Sequence, residues 1–268
     1  MNEKLIVLGT GNANAVNCFN TCFALQNANE YLLVDAGGGN GILKQLKEAG
    51  IPLSAVKNMI VTHAHTDHVL GVIWVLRMIA TAQIKGSFSG EFRVYGHKEL
   101  LETVRTLCSL TLQKKHLDRF DNGVRFIPVS DGETLTVGPW RTVFFDIRST
   151  KMKQYGFSLT LQNGRILTCL GDEPYNPACR QYAENADWLL SEAFCLYADR
   201  DIFHPYEKHH STVKDAAALA SELHAKQLVL WHTEDTDLCN RKAKYTAEAK
   251  TQFGGEIYVP DDLETLTL

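Results

Sequence analysis

The sequence predicts an α/β (α+β) fold in which two mixed sheets pack between layers of helices. Strand-like apolar runs and helical patterns alternate along all 268 residues. Antiparallel hairpins are expected early in each half of the chain, at turns marked by Asn and Gly. Such mixed elements favour sheets covered by helices on their outer faces. We expect one domain over residues 1–268, with two pseudo-related halves at about 1–140 and 141–268.

The first half is predicted to begin with strands and to continue as strand–helix units. The predicted helix at 40–49 ends at Gly50, with Pro52 behind it, which is the usual stop pattern. The apolar stretch 70-LGVIWVLRMIA-80 predicts a core helix rather than a membrane segment. The expected strands are 4–9, 21–26, 31–39, 57–62 and 92–96, and the further helices are 68–82 and 97–118.

The second half resembles the first in kind. Two of its apolar strands, 165–170 and 227–232, run directly into polar residues. The expected strands are 124–129, 134–137, 141–147, 156–162, 165–170, 187–194, 227–232 and 256–260, and the expected helices are 176–185, 211–224 and 238–252.

Composition and charge argue against several classes of protein. The formal net charge of −4 gives no overall basic field that would attract nucleic acid or an anionic membrane. No apolar run approaches the roughly 20 residues that a membrane span requires. The seven cysteines are odd in number and scattered, which suits reduced thiols better than a disulfide framework. We expect a cytoplasmic protein with no membrane partner.

The segment 9-GTGNAN-14 follows a strand, which raises the alternative of a dinucleotide-binding oxidoreductase. Asp35 lies roughly where an acid that binds ribose would be expected. The third glycine is missing, however, because position 14 is Asn, and the following residues are strand-like. No helix N-terminus is then available to hold a pyrophosphate. This alternative predicts retention of NAD(P) and no effect from removing His63 or His68.

The segment 63-HAHTDH-68 places four ligand-type side chains between a predicted strand and a predicted helix. His63 and His65 point the same way on the extended turn, because side chains alternate there with period two. Asp67 and His68 start the next helix and face back toward the end of the strand. Imidazole and carboxylate donors suit zinc first, with manganese or iron as alternatives. The sequence therefore predicts a divalent metal site.

Six residues supply only some of the ligands, so the others are expected at the ends of later strands. The strand 165-RILTCLGD-172 places Asp172 at its carboxyl end. The strand 227-QLVLWHTED-235 places His232 at its carboxyl end. A single histidine after a strand is more often structural, but the cluster at 63–68 needs partners.

With these residues, the chain resembles the metallo-β-lactamase superfamily. HAHTDH matches its HxHxDH signature, and the order of that signature, a Gly-Asp pair and a late strand-end histidine is the superfamily's order. Within it, five further segments look like the ribonuclease Z branch, and the resemblance covers essentially the whole chain. These segments are 7-VLGTGNA-13, 34-VDAGGG-39, 191-SEAF-194, 210-HST-212 and 230-LWHT-233.

The resemblance implies a four-layer αββα sandwich, the metallo-β-lactamase fold, with a two-metal site along one edge. It implies phosphodiester hydrolysis by a metal-bound hydroxide, with Asp67, Glu192 and His210 managing protons. It also implies a homodimer. In such a site Asp67, His68 and His232 serve one metal, His63 and His65 serve the other, and Asp172 bridges the two.

The first departure from the family pattern concerns the metal assigned to His63 and His65, to which the family normally supplies a third histidine. The matching region, residues 143–159, contains no histidine, and Arg148 or Thr150 stands about where it is expected. An arginine cannot donate a lone pair to a metal. We therefore expect one or two ions per chain. His204 or His209 could reach in as a substitute, and Arg148 is a candidate for binding a substrate phosphate.

The second departure concerns the arm that many ribonuclease Z enzymes use to grip transfer RNA. Between Gly156 and Asp172 only a short hairpin is predicted, with no basic, glycine-containing excursion. The substrate is therefore left open between a tRNA precursor and a small phosphodiester or other ester. A catalytically degenerate metal-binding protein is the remaining alternative.

Overall fold

The computed structural model describes residues 3–268, and its strands form two mixed sheets of seven strands each. The sheets match the predicted class, and most strand bounds agree with the expected ones within two residues. In chain order the strands are β1 (Lys4–Gly9), β2 (Cys22–Asn27), β3 (Glu30–Val34), β4 (Val56–Ile60), β5 (Phe92–Gly96), β6 (Val124–Pro128), β7 (Thr134–Val137), β8 (Trp140–Asp146), β9 (Tyr155–Thr160), β10 (Ile166–Cys169), β11 (Trp188–Glu192), β12 (Gln227–Trp231), β13 (Glu256–Tyr258) and β14 (Thr265–Thr267).

The helices lie against the two sheets and join their parallel strands. Short 3₁₀ turns at Leu53–Ala55, Pro177–Cys179 and Tyr197–Asp199 accompany them. In chain order the helices are α1 (Gly41–Glu48), α2 (Thr66–Ile84), α3 (Lys98–Thr111), α4 (Lys114–Leu117), α5 (Arg180–Ala183), α6 (Arg200–Phe203), α7 (Val213–Glu222) and α8 (Leu238–Ala249).

Each sheet changes from antiparallel to parallel pairing at its middle. The first has the order β14-β1-β2-β3-β4-β5-β6 and the second β13-β12-β11-β10-β9-β8-β7. In the first sheet the parallel pairs begin at β3 with β4, and in the second at β10 with β11. The carboxyl ends of β4, β10 and β12 lead into the polar segments that were singled out in the sequence. This arrangement positions the candidate site.

Three apolar layers hold the sandwich together. One cluster packs α1, α2 and α3 on the first sheet, a second lies between the sheets, and a third packs α7 and α8 on the second sheet. Trp140, Trp188 and Trp231 are fully buried in the central layer. Burial of this kind on both faces of each sheet gives the four-layer αββα order.

Helix α2 is long and apolar enough to cross a membrane by length and composition alone. Its side chains Val72, Val75 and Leu76 are fully buried in the layer between the helices and the first sheet. Half of its apolar stretch is buried in this way. The prediction of a core helix is therefore consistent with the packing.

Three expected elements differ from the structure. The helix predicted at 97–118 is interrupted, because Leu112 and Gln113 are extended. The helix predicted at 176–185 is a 3₁₀ turn at Pro177–Cys179 followed by the short helix α5. The strand predicted at 31–39 ends at Val34, because Asp35 adopts a left-handed backbone with φ of 55°. The C-terminal strand β14, which pairs antiparallel with β1, was missed.

Candidate metal centre

The predicted ligand residues meet where strands of both sheets end. His63 and His65 follow β4, and Asp67 and His68 occupy the first turn of α2, whose N-cap is His65. Asp172 follows β10, and His232 follows β12 with a left-handed backbone at φ of 57°. Parallel strands deliver their carboxyl ends to one edge of a sheet, so residues distant in sequence converge there.

The six side chains form two groups that share Asp172. In each group the candidate donor atoms all lie within 4.8 Å of one another. The Asp172 Oδ2 atom lies 3.3 Å from His63 Nε2 and 3.5 Å from the Nε2 atoms of both His68 and His232. One group is Asp67, His68, Asp172 and His232, and the other is His63, His65 and Asp172. This is the division that the resemblance implies.

Unpartnered nitrogen atoms indicate that these side chains fit a cation. The Nε2 atoms of His68 and His232 are buried, and neither has a hydrogen-bond partner among residues 3–268. Each lies 3.4 Å from Asp67 Oδ2, at the edge of a gap bounded by carboxylates and imidazoles. Buried polar atoms are normally paired, so a site of this composition suits a divalent metal ion.

The electrostatics of the four-residue group also favour a cation. Burial opposes ionisation of Asp67, but the neighbouring His68 holds the pKa of this carboxyl well below its usual range. Burial likewise opposes ionisation of Asp172, yet His63 keeps the pKa of that carboxyl well below its usual range. Burial opposes protonation of His68, but Asp67 and Asp35 raise the pKa of this imidazole well above its usual range. Without a metal ion the imidazoles thus carry the positive charge beside the carboxylates, and a divalent cation can take that place.

Asp35 orients two of the imidazoles from behind. Its Oδ2 lies 2.8 Å from His68 Nδ1 and accepts a hydrogen bond from the Thr62 hydroxyl at 2.7 Å. The Thr62 oxygen in turn lies 2.9 Å from His63 Nδ1. Both Nδ1 atoms are thus held as donors, which leaves the Nε2 lone pairs directed at Asp172. From the sequence, Asp35 was a candidate only for binding ribose, because no pattern there indicates this supporting role.

Replacing Asp35 by Asn should lower the affinity of the protein for its metal by about 10- to 100-fold, as other losses of such supporting groups do. The carboxylate accepts from His68 and the Thr62 hydroxyl through Oδ2 and from the Thr62 amide through Oδ1, whereas in Asn one of these two acceptors becomes an NH2 group that cannot accept. Competition with a chromophoric chelator measures the affinity, and the exposed Asp118→Asn serves as control. Unchanged metal affinity in Asp35→Asn would contradict the role of Asp35 in orienting the metal-binding imidazoles.

Glu192 and His210 lie beside the four-residue group. With His232 they form a third set of neighbouring donor atoms. Glu192 Oε1 accepts a hydrogen bond from the Ser211 amide at 2.5 Å, while Oε2 lies 3.5 Å from His210 Nδ1. The His210 ring stacks on Phe194 at 4.9 Å and lines the cleft above Asp172. Both predicted proton-handling residues are therefore close to the candidate ligands.

The structure does not bring Arg148, His204 or His209 to the candidate ligands. The Arg148 guanidinium pairs with Asp131 at 2.6 Å, which neutralises the charge that was expected to meet a substrate. His204 is exposed and lies 3.5 Å from Glu207. His209 lies 3.2 Å from the Thr150 hydroxyl and belongs to none of the donor groups found among residues 3–268.

Gln154 occupies the region where the family pattern calls for a third histidine. Its side chain is fully buried and donates a hydrogen bond from Nε2 to Asp172 Oδ1. Its Oε1 accepts the Asp172 amide at 2.8 Å. The region therefore supplies a clamp for Asp172, and the group around His63 and His65 has one donor fewer than the other group.

An open cleft of about 380 Å³ lies over the donor groups. Its lining includes three of the candidate ligands, His65, Asp67 and Asp172. Lys151 and Met152, from the segment between β8 and β9, line it as well. These two residues were missed, because no sequence pattern indicates that this segment turns over the site.

Comparisons with known proteins agree with this fold. A family described as "Anti-Pycsar protein Apyc1" matches residues 3–253. A ribonuclease Z of Macrococcus caseolyticus is 24% identical over 97% of each chain. The metallo-β-lactamase fold protein YhfI from Bacillus subtilis superposes with a TM-score of 0.81 at 24% identity, covering 99% of each chain. The short form of human tRNase Z superposes with a TM-score of 0.74 at 21% identity, covering 98% of each chain.

The long family match and the shared fold settle the classification. The αββα sandwich is the metallo-β-lactamase fold that YhfI has, and the His–Asp clusters lie where strands of both sheets end. The chain therefore belongs to the family described as Anti-Pycsar protein Apyc1, a ribonuclease Z-like member of the metallo-β-lactamase superfamily.

Proposed function

We propose that this protein is a metal-dependent hydrolase that cleaves phosphodiester bonds. The observation that carries the proposal is the pair of donor groups sharing Asp172 beneath an open cleft. Likeness to a ribonuclease Z favours a phosphodiester as the bond that is cleaved. The cleft volume of about 380 Å³ is in the range of small-molecule sites.

The two donor groups are proposed to hold divalent cations, zinc being the first candidate. When bound, such cations would polarise the phosphoryl group and stabilise charge on the leaving oxygen. Asp172 would be shared by both positions. The group with Asp67, His68 and His232 offers four donors and the group with His63 and His65 offers three, so we expect unequal affinities.

Glu192 and His210 are proposed to manage the proton of the leaving group. Because Nδ1 of His210 faces Glu192, the Nε2 atom of the same ring is the one available to the cleft. Glu192 lies on the Nδ1 side of the ring, and His210 is proposed to deliver a proton from Nε2 to the leaving oxygen. Asp67, whose carboxyl pKa is held well below its usual range by His68 against the effect of burial, is proposed to orient the attacking water, and the proton of that water passes to solvent as the bond to phosphorus forms.

A small phosphodiester is favoured over a tRNA precursor by one feature of the second sheet. Strands β9 and β10 are joined by residues 161–165 alone, so no arm projects from this hairpin. The net charge of −4 also gives no general attraction to RNA. Processing of tRNA 3′ ends remains the second candidate, on the likeness to ribonuclease Z.

Turnover of bis(p-nitrophenyl) phosphate tests the proposal. We expect activity that a chelator removes and that zinc, manganese or iron restores, because both donor groups would lose their cations. Asp67→Ala should lower kcat/KM at least about 100-fold, since it removes one donor and one buried charge. The exposed Asp118→Ala should leave it unchanged.

One further outcome would contradict the proposal, and another would decide between its two candidate substrates. A protein that binds metal but hydrolyses neither the small phosphodiester nor a tRNA precursor would be a non-catalytic metal-binding protein. Cleavage of the tRNA precursor alone would favour the second candidate. The homodimer, the cytoplasmic location and the identity of the metal stay predictions.

A further inference from the structure

Residues 147–154, called the strap here, join β8 to β9 and cross beside the candidate metal centre. The Ser149 hydroxyl donates a hydrogen bond to Glu173 Oε1 at 2.6 Å. The amides of Lys151 and Met152 both donate to the Ser149 oxygen at 3.2 Å. Glu173 is buried and directly follows Asp172. The middle of the strap is therefore tied to the residue next to the shared carboxylate.

The far end of the strap is tied to Asp172 itself. Gln154 exchanges two hydrogen bonds with Asp172, one through each atom of its amide. At the near end Arg148 adopts a left-handed backbone at φ of 61°, and its amide donates to Asp146 Oδ1 at 2.8 Å. A segment held at both ends and at its middle presents its tip in a defined position.

The three cationic side chains of the strap differ in their partners. Arg148 pairs with Asp131 at 2.6 Å, and Lys153 pairs with Glu99 at 3.2 Å. Lys151 makes no ion pair within residues 3–268, although it lines the cleft together with Asp67 and Asp172. Lys151 is thus the cation of the strap without an ion-pair partner among residues 3–268, and it belongs to the wall of the cleft.

We propose that Lys151 binds a phosphoryl oxygen of the substrate and so positions the phosphodiester over the shared carboxylate. A lysine ammonium binds phosphate as a point charge, and it needs no neighbouring fork geometry to do so. Met152, which is 38% exposed and lies beside it on the cleft, offers a flexible apolar contact for the adjoining organic group. The inference rests on the proposed function and adds to it the residue that holds the phosphoryl group of the substrate.

Binding of inorganic phosphate to the metal-loaded protein, measured by calorimetry, tests this inference without requiring turnover. Lys151→Met should weaken phosphate binding about 10- to 100-fold, because a charge-assisted contact is lost. Lys151→Arg should restore most of it. Lys153→Met is the matched control on the same strap and should bind phosphate like the unaltered protein.

Steady-state kinetics provide the second readout. For bis(p-nitrophenyl) phosphate, Lys151→Met should lower kcat/KM by a similar factor through a higher KM, while the metal content of the protein stays unchanged. Phosphate binding that is equally tight in Lys151→Met and in the unaltered protein overturns the inference, as does the absence of phosphate binding in both. Lys151-dependent phosphate binding by a protein that cleaves no phosphodiester would overturn the proposed function and leave Lys151 as an anion-binding residue.

Discussion

Replacing Asp172 by Ala should lower kcat/KM for a phosphodiester by at least about 1,000-fold, because several kcal/mol of electrostatic stabilisation depend on the ions it holds. Asp172 Oδ2 is the atom shared by both donor groups, at 3.3 Å from His63 Nε2 and 3.5 Å from the Nε2 atoms of His68 and His232. Its loss should therefore empty or weaken both positions at once. Steady-state kinetics and metal analysis of the same preparation measure the effect.

Two comparisons separate a chemical effect of this substitution from misfolding. Asp172→Asn keeps the shape of the side chain, and circular dichroism should show that it folds. Its metal content should still be lower, because a neutral amide does not balance the cation. The exposed Asp118→Ala should behave like the unaltered protein in both measurements. Normal turnover and normal metal content in Asp172→Ala would contradict the assignment of Asp172.

Replacing Gly71 by Ala should destabilise the protein by about 3 kcal/mol or more, because the packing leaves no space for a methyl group. A Cβ atom at this position would stand 1.8 Å from the carbonyl oxygen of Ala36. The amide of Gly71 also donates to Gly37 O at 2.8 Å, so helix α2 lies directly on the backbone that follows β3. Elsewhere in a helix the same change stabilises by about 1 kcal/mol.

Urea unfolding of Gly71→Ala measures whether the free energy of unfolding falls, as the packing predicts, or rises, as it does at most helical glycines. A Cβ at Gly254 meets no heavy atom within 4 Å, so Gly254→Ala is the control and should change the free energy of unfolding by less than about 1 kcal/mol. Because α2 carries Asp67 and His68 at its first turn, metal affinity should fall in Gly71→Ala as well. A stabilised Gly71→Ala protein would contradict the close approach of α2 to Ala36.

The fold was largely predictable because its strands are apolar, bounded by turn residues and separated by helices of ordinary length. The elements that were wrong depend on contacts made elsewhere in the chain. Strand β14 covers only Thr265–Thr267, and nothing in three residues indicates pairing with β1. The end of β3 at Val34 depends on Asp35 turning to meet Thr62 and His68. Tertiary contacts decide such cases over local propensity.

The candidate site was predictable to the extent that strand ends converge. The pattern HAHTDH placed four donors together, and Asp172 and His232 were found because each directly follows an apolar strand. The strap was not predictable, because its course depends on Ser149 bonding to Glu173 and on Gln154 bonding to Asp172. Arg148 was the cation expected at the site, yet Asp131 neutralises it, and Lys151 lies there instead.

The position of bound metal is the most direct test of this account. Crystals of protein purified without chelators should give anomalous scattering at the absorption edge of zinc, manganese or iron. We predict a strong peak among Asp67, His68, Asp172 and His232, with a weaker peak or none among His63, His65 and Asp172. Crystals with no peak at this edge of the sandwich, or with a peak remote from Asp172, would contradict it.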